Sequence, residues 1–232
     1  GDRDRLVALF ATLHPADIAD IIEQLNTARR RALLTLCPDE IDGDVLAEID
    51  ETIREDVIAL LPHEHLAEAV REMDSDDVVD LVEDLDHEDR TAILSALDES
   101  DRLAVEQSLT YPEYSAGRLM QSEIVTAPEH WTVGETIDFL RGEEALPEQF
   151  YHVILVDPRR FPIGYVTLGR ILAARRATPL RDLCEDSFQT ISAFADEGDV
   201  AYAFNQYHLI SAPVIDAAGR LVGVITIDDA MG

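Results

Sequence analysis

"VILVDPRRFPIGYVT", residues 153–167, returns in altered form further along the chain as "APVIDAAGRLVGVIT", residues 212–226. In both copies an Asp is followed by a Gly seven positions on and by a Thr ten positions on, two intervals that chance does not readily reproduce together. Each copy reads as a strand, a turn and a second strand. The apolar run before each Asp predicts a strand buried on both faces rather than one with a wet side. A helical phrase precedes each copy, "TVGETIDFLRG" at 132–142 and "DVAYAFNQY" at 199–207. Another, "GRILAARRA" at 169–177, follows the first, and "DDAM" at 228–231 begins its counterpart.

Before Pro112 the grammar differs. The phrases "PADIADIIEQL", "ARRRALLTL", "GDVLAEI", "REDVIALL", "HLAEAVREM", "DDVVDLVEDL", "EDRTAILSAL" and "RLAVEQSL" carry Leu, Ile or Val at three-to-four spacing and start every ten to sixteen positions. Several open on a Pro or Asp suited to a helix start. Helices of two or three turns cannot bury an apolar face alone, so they must stack on one another. The expected fold class is α plus α/β. An all-helical superhelical domain spans residues 1–110, a junction 111–122, and two α/β units 123–180 and 181–232, the last with its C-terminal helix cut short.

A chain of 232 residues, 47% of them hydrophobic, can build cores for two domains. Its net charge of −30 comes from 48 acidic against 18 basic residues, and every basic residue is Arg. Such a chain is repelled by nucleic acid and anionic membranes and attracts cations, which excludes nucleic acid as a partner. A Lys-free acidic surface also fits adaptation to high salt, and that reading stands beside the first. Cys37 and Cys184, 147 positions apart, support neither a disulfide framework nor a zinc site. No apolar run reaches the roughly 18 to 20 residues that span a bilayer, and no signal-peptide pattern opens the chain, so a soluble cytosolic segment is expected. His63 and His65 with Glu64 do not form HExxH, and no nucleophile signature or Gly-rich phosphate loop points to an enzyme.

The acid concentrates in "DSDDVVDLVED", residues 74–84. Val78, Leu81, Val82 and Leu85 make a core-facing stripe, which leaves Asp76, Asp77, Asp80, Glu83 and Asp84 on a surface without a basic residue. Like charges at i, i+4 cost about 0.2 to 0.5 kcal/mol each. Either a cation offsets that cost or the fold tolerates it.

The paired β-α-β-β-α units, each closing on Gly, two apolar residues and Thr, resemble a tandem of CBS domains, regulatory modules that commonly bind adenine nucleotides between the two copies. "GVITIDD" is similar to the family's nucleotide pattern, which implies Thr226 at phosphate and Asp229 at the ribose hydroxyls. "GYVTLGR" keeps Thr167 but has Arg170 in place of the ribose-binding Asp, so one full nucleotide site is expected. "YPEYSAGRLM" at 111–120, set between acidic helices and a CBS pair, resembles the junction of MgtE-type magnesium transporters, as "HPADIADIIEQL" and "DSDDVVDLVEDL" resemble their N-terminal domain.

The resemblance covers nearly the whole chain. It implies a magnesium-sensing cytosolic region on the cytoplasmic side of the inner membrane, dimeric through its CBS domains. Its own transmembrane pore would follow residue 232. The helical domain would dock on the CBS pair when Mg²⁺ is plentiful, closing the pore. The metal ligands carried over are Asp44, Asp76, Asp77 and Asp80 in the helical domain and Asp229 in the CBS pair. His208 stands where a relative has an acidic ligand, although imidazole suits magnesium poorly. A further carboxylate expected just after Asp229 would fall at Gly232. Mg²⁺ keeps several waters and needs only one or two carboxylates from each wall, which fits such a seam. The other reading is an energy sensor whose ligand is ATP or another adenine nucleotide at Thr226 and Asp229, with the acidic helix as mere surface. The third is a halophilic scaffold with neither ligand.

Overall fold

A computed structural model describes residues 2–231 apart from Asp84, Glu144, Ala145, Glu148 and Ser187, so the expectations placed on Asp84 and Gly232 lie outside the described residues. The chain divides into two compact units, Gly1–Gln107 and Ser108–Gly232.

The first unit is helical: α1 (Asp2–Phe10), α2 (Pro15–Gln24), α3 (Thr27–Leu36), α4 (Gly43–Glu48), α5 (Glu51–Leu60), α6 (His63–Glu72), α7 (Ser75–Glu83), α8 (His87–Ala96) and α9 (Glu99–Ser108). Their spacing is more regular than the uneven intervals expected. Leu13, Leu25, Cys37, Ile49, Leu61, Met73, Leu85, Leu97 and Leu109 stand twelve apart. Leu25, Cys37, Ile49, Leu61, Met73 and Leu97 each close a helix as its C-cap. The next residue often opens the following helix, as Asn26, Asp50 and Asp86 do by accepting first-turn N–H groups of Arg29, Thr52, and Glu88 with Asp89. An apolar stop and a polar start in adjacent positions keep each helix at two or three turns.

The arginines complete this design. Arg30 donates to the carbonyls of Ile22, Glu23 and Leu25, and Arg90, five of these periods later, repeats the pattern on Val82, Glu83 and Leu85. Arg54 donates to Ile49 O through Nε and Nη2. Helix C-terminal carbonyls lack intrahelical donors and carry the negative end of the dipole, so a buried guanidinium satisfies both needs. Arg30→Met keeps the apolar stem and loses the three bonds. We expect it to cost about 2–3 kcal/mol in urea unfolding of the first unit. A loss under about 0.5 kcal/mol, the level of an ordinary surface change, would count against this role.

The second unit contains α10 (Ala116–Leu119), β1 (Thr126–Pro128), α11 (Val133–Gly142), β2 (His152–Val156), β3 (Pro162–Thr167), α12 (Leu168–Ala173), β4 (Ile191–Ser192), α13 (Glu197–Tyr207), β5 (Ser211–Ile215), β6 (Leu221–Thr226) and α14 (Ile227–Met231). It holds two three-stranded sheets, β1-β2-β3 and β4-β5-β6, each with a parallel pair followed by an antiparallel pair. The register breaks between Leu155 and Val156 in one sheet and between Val214 and Ile215, the equivalent positions, in the other. The central strands are buried on both faces, through Val153, Ile154 and Leu155 in one copy and Ala212, Pro213 and Val214 in the other.

The repeated glycines have a packing cause: a Cβ on Gly164 would lie 2.8 Å from Cys184 Sγ, and one on Gly223 would lie 2.6 Å from Met120 Sδ. The segment 111–122 packs against the second copy. Ala116 and Gly117 donate to Ala195 O and Ala193 O, Gln121 pairs with Val224, and Tyr111 and Met120 enter that copy's core. No helix among the described residues is long and apolar enough to cross a membrane.

Candidate functional site

The residues singled out by sequence fall at two places, one in each unit. In the first unit α4 packs against α7. Asp44 is exposed in the first turn of α4, whose N-cap Asp42 accepts the Val45 N–H at 3.0 Å. On α7 Asp80 is exposed and Asp77 half-buried, but Asp76 is buried at 8% exposure. The buried face of α7 is wider than the four-residue stripe expected, because Ser75, Asp76 and Val79 turn inward with Val78, Leu81 and Val82.

Nor is the acidic face without a basic neighbour: Arg54 of α5 places Nη1 2.5 Å from Asp80 Oδ2. Desolvation of the Arg54 guanidinium, 10% exposed at its side chain, is offset by Asp80 and Ile49 O. Part of the charge cost that the sequence left open is therefore met from within. The partner lies 26 positions upstream, where helix periodicity gives no hint. The one available signal is that Arg54, like Arg30 and Arg90, stands five positions after an apolar stop. Among the described residues, no three His, Cys, Asp or Glu side chains come together as a metal site. Asp44, Asp76, Asp77 and Asp80 thus do not by themselves form a closed cage, and Asp229 belongs to the other unit.

In the second unit a cleft opens where the two repeats meet, lined by Gln121, Phe150, Tyr151, His152, Ser211 and Thr226 among others. Thr226 ends β6, and Asp229 Oδ2 accepts its N–H at 3.2 Å and its hydroxyl at 2.6 Å, so the two side chains hold each other at the start of α14. Thr226 reaches the cleft wall, whereas Asp229 is not among the lining residues. In the first copy Thr167 caps α12 by accepting the Arg170 N–H. Arg170 itself is committed to Glu185 at 3.1 Å and to Leu183 O at 3.1 Å. Positions 170 and 229, equivalent in the two copies, therefore have different partners.

His152 and Ser211, equivalent positions of the two copies, meet across the cleft with Nδ1 and Oγ 2.6 Å apart. Sequence reading passed over this pair, because neither residue type is marked until the repeat is folded on itself. Burial pushes the His152 imidazole down from its ordinary 6.5 to about 4. The unfolded chain then takes up the proton first. Stability is unaffected above pH 6.5, falls as pH drops from 6.5 towards 4, and levels off below that. His152→Gln should flatten this component of the pH profile of second-unit unfolding between pH 6.5 and 4, leaving only the carboxylate contribution. An unchanged profile would contradict it.

Comparisons with known proteins bear on both places. Residues 13–114 match the family model of the MgtE intracellular N domain, and residues 116–177 and 180–232 each match that of the CBS domain. The magnesium transporter MgtE of Thermus thermophilus is 29% identical over 243 residues, which cover 100% of this chain and 52% of that protein. The magnesium transporter MgtE of Bacillus subtilis (strain 168) is 27% identical over 218 residues, covering 94% of this chain and 48% of that protein. The chain thus spans about half the length of these relatives. The crystal structure of the cytosolic domain of the Mg²⁺ channel MgtE in complex with ATP matches with a TM-score of 0.86 at 28% identity, over 97% of this chain and 92% of that one. The soluble part of a magnesium transporter matches with a TM-score of 0.83 at 24% identity over 99% and 91%, a likeness of fold.

Proposed function

The chain belongs to the MgtE family, as an MgtE intracellular N domain followed by two CBS domains, and from that premise we propose that it is the magnesium-sensing cytosolic region of a magnesium transporter. In this reading it performs no reaction. It lies on the cytoplasmic face of the membrane, joins its own pore domain, and forms a homodimer through the CBS pair. The exposed Tyr202 and Tyr207 of α13 and the exposed Phe194, Ile210 and Met231 support the dimer. Magnesium bound between the helical unit and the CBS pair favours the docked, pore-closing arrangement.

The observation that carries the reading is the exposed acid of α4 and α7 in a chain of net charge −30. Asp44, Asp77 and Asp80 present carboxylates that Mg²⁺ takes one or two at a time while keeping its waters, so the remaining ligands must come from a facing surface. Asp229, tied to Thr226, supplies one such carboxylate, and Asp76 lies on the buried side of α7. Reversing a two-state equilibrium from 1:99 to 99:1 needs about 5.5 kcal/mol of differential binding, which several weak sites share more readily than one.

The test is thermal unfolding in Mg²⁺ against NaCl at matched ionic strength. Site binding predicts extra stabilisation by Mg²⁺, about 2.7 kcal/mol at a hundred times the dissociation constant. Identical curves would mean screening alone. The cleft position of Thr226 favours a second ligand, an adenine nucleotide, acting beside magnesium rather than in its place.

A further inference from the structure

The last apolar stop of the helical period is capped differently from the earlier ones. Leu25, Ile49 and Leu85 give their carbonyls to Arg30, Arg54 and Arg90, each five positions on. Five positions after Leu109 stands Tyr114, 69% exposed, with a left-handed φ of 57° that turns the chain out of the helical period. The guanidinium comes instead from Arg118, nine positions on: Nη2 donates to Leu109 O at 3.1 Å and Nε to Tyr111 O at 3.0 Å. One planar group thus fixes both sides of the turn that follows α9.

Arg118 is itself anchored. It lies on α10, whose Ala116 and Gly117 amides bond to Ala195 O at 2.8 Å and Ala193 O at 2.9 Å. Tyr114 O accepts the Glu197 N–H at 3.0 Å, and Gln121 and Val224 exchange both backbone bonds at 2.9 and 3.0 Å. With the Tyr111 and Met120 side chains in the second copy's core, the stretch from Tyr111 to Gln121 has no slack to act as a swivel. Val224 belongs to β6, which leads through Thr226 into α14.

We propose that Arg118 is a latch that makes the end of α9 and the second copy one body. Movement of the helical unit then passes through Gln121 and Val224 to β6 and α14 without crossing the first copy, and a swing of that unit is taken up before Ser108 rather than in the junction. The route of this output rests on the reading that the helical unit moves on binding its ligand. The latch does not depend on it.

The test is a spin-label distance measurement on the whole chain in a Cys184→Ala background, Cys37 being fully buried, with labelled chains diluted in unlabelled ones. One pair joins Glu106→Cys on α9 to Ala218→Cys on an exposed turn of the second copy, and a control pair joins Asn205→Cys on α13 to the same Ala218→Cys. The latch predicts a narrow distribution for the first pair. Arg118→Gln should roughly double its width and leave the control unchanged, and Arg118→Lys should broaden it nearly as far, because one ammonium does not span two carbonyls. A broad distribution in the wild type, or equal widths with and without Arg118, would overturn the proposal. Equal broadening of both pairs would reduce Arg118 to a general stabilising residue and overturn it as well. Distances that ignore Mg²⁺ while Arg118→Gln still broadens the first pair would sink the sensor reading and leave the latch standing.

Discussion

Replacing Asp76, Asp77 and Asp80 together by Asn is expected to remove most of the magnesium-specific stabilisation and compaction of this chain, at least fivefold relative to the wild type, while leaving its response to NaCl nearly intact. The size of the effect separates site binding from general repulsion. The triple change moves the net charge from −30 to −27, so a diffuse screening effect would weaken only by about a tenth. Loss of most of the response must then come from the particular carboxylates. The three residues act differently. Asp80 is exposed and Asp77 half-buried, whereas Asp76 is 8% exposed. Asp80→Asn alone also takes the charge partner from the Arg54 guanidinium, 10% exposed at its side chain, so it carries a stability cost of its own. Its effect on unfolding is therefore measured beside that of the triple variant. A triple variant that kept the full magnesium response would show that the acid of α7 is only a surface.

The second large effect is structural. A Cβ at Gly117 would overlap Tyr111 Cγ and lie 2.5 Å from Cδ2, far inside any tolerable contact. Neither side can withdraw. The Gly117 and Ala116 amides are bonded to Ala193 O and Ala195 O, and the Tyr111 ring, 8% exposed, meets Phe194 edge-on with centroids 5.4 Å apart. Gly117→Ala should therefore cost about 3 kcal/mol or more, at the upper end for overpacking. Removing the ring as well, in Tyr111→Ala with Gly117→Ala, should recover part of the loss because the two sites share one contact. Unfolding of the single variant within about 0.5 kcal/mol of the wild type would contradict this packing.

Much of the second unit was legible in the sequence because its signals are local. The Asp-Gly-Thr intervals, repeated at one common offset, mark two copies of one strand-turn-strand, and buried central strands read directly as apolar runs. The helical unit was legible in kind, and the twelvefold period was there to be counted from Leu13 to Leu109. What sequence could not give was contact at a distance. Arg54 reaches Asp80 across 26 positions, His152 meets Ser211 across 59, and the segment after Tyr111 joins the second copy rather than the first that it precedes. Asp76 shows the limit of periodicity in another way. A stripe of four apolar residues places Asp76 on the wet face, but a short helix packed on two neighbours, α4 and α8, buries more than one stripe. Arg170 was legible as a departure from Asp229 at the equivalent position of the other copy, and its commitment to Glu185 was not.

The most direct measurement is small-angle scattering of the chain as Mg²⁺ is titrated at constant ionic strength, with NaCl and KCl as controls. Magnesium-bridged docking of the helical unit on the CBS pair predicts a fall in radius of gyration that is specific to Mg²⁺, saturates, and disappears in the triple Asp variant. Superimposable curves for magnesium and monovalent salt would contradict the sensor reading for this chain.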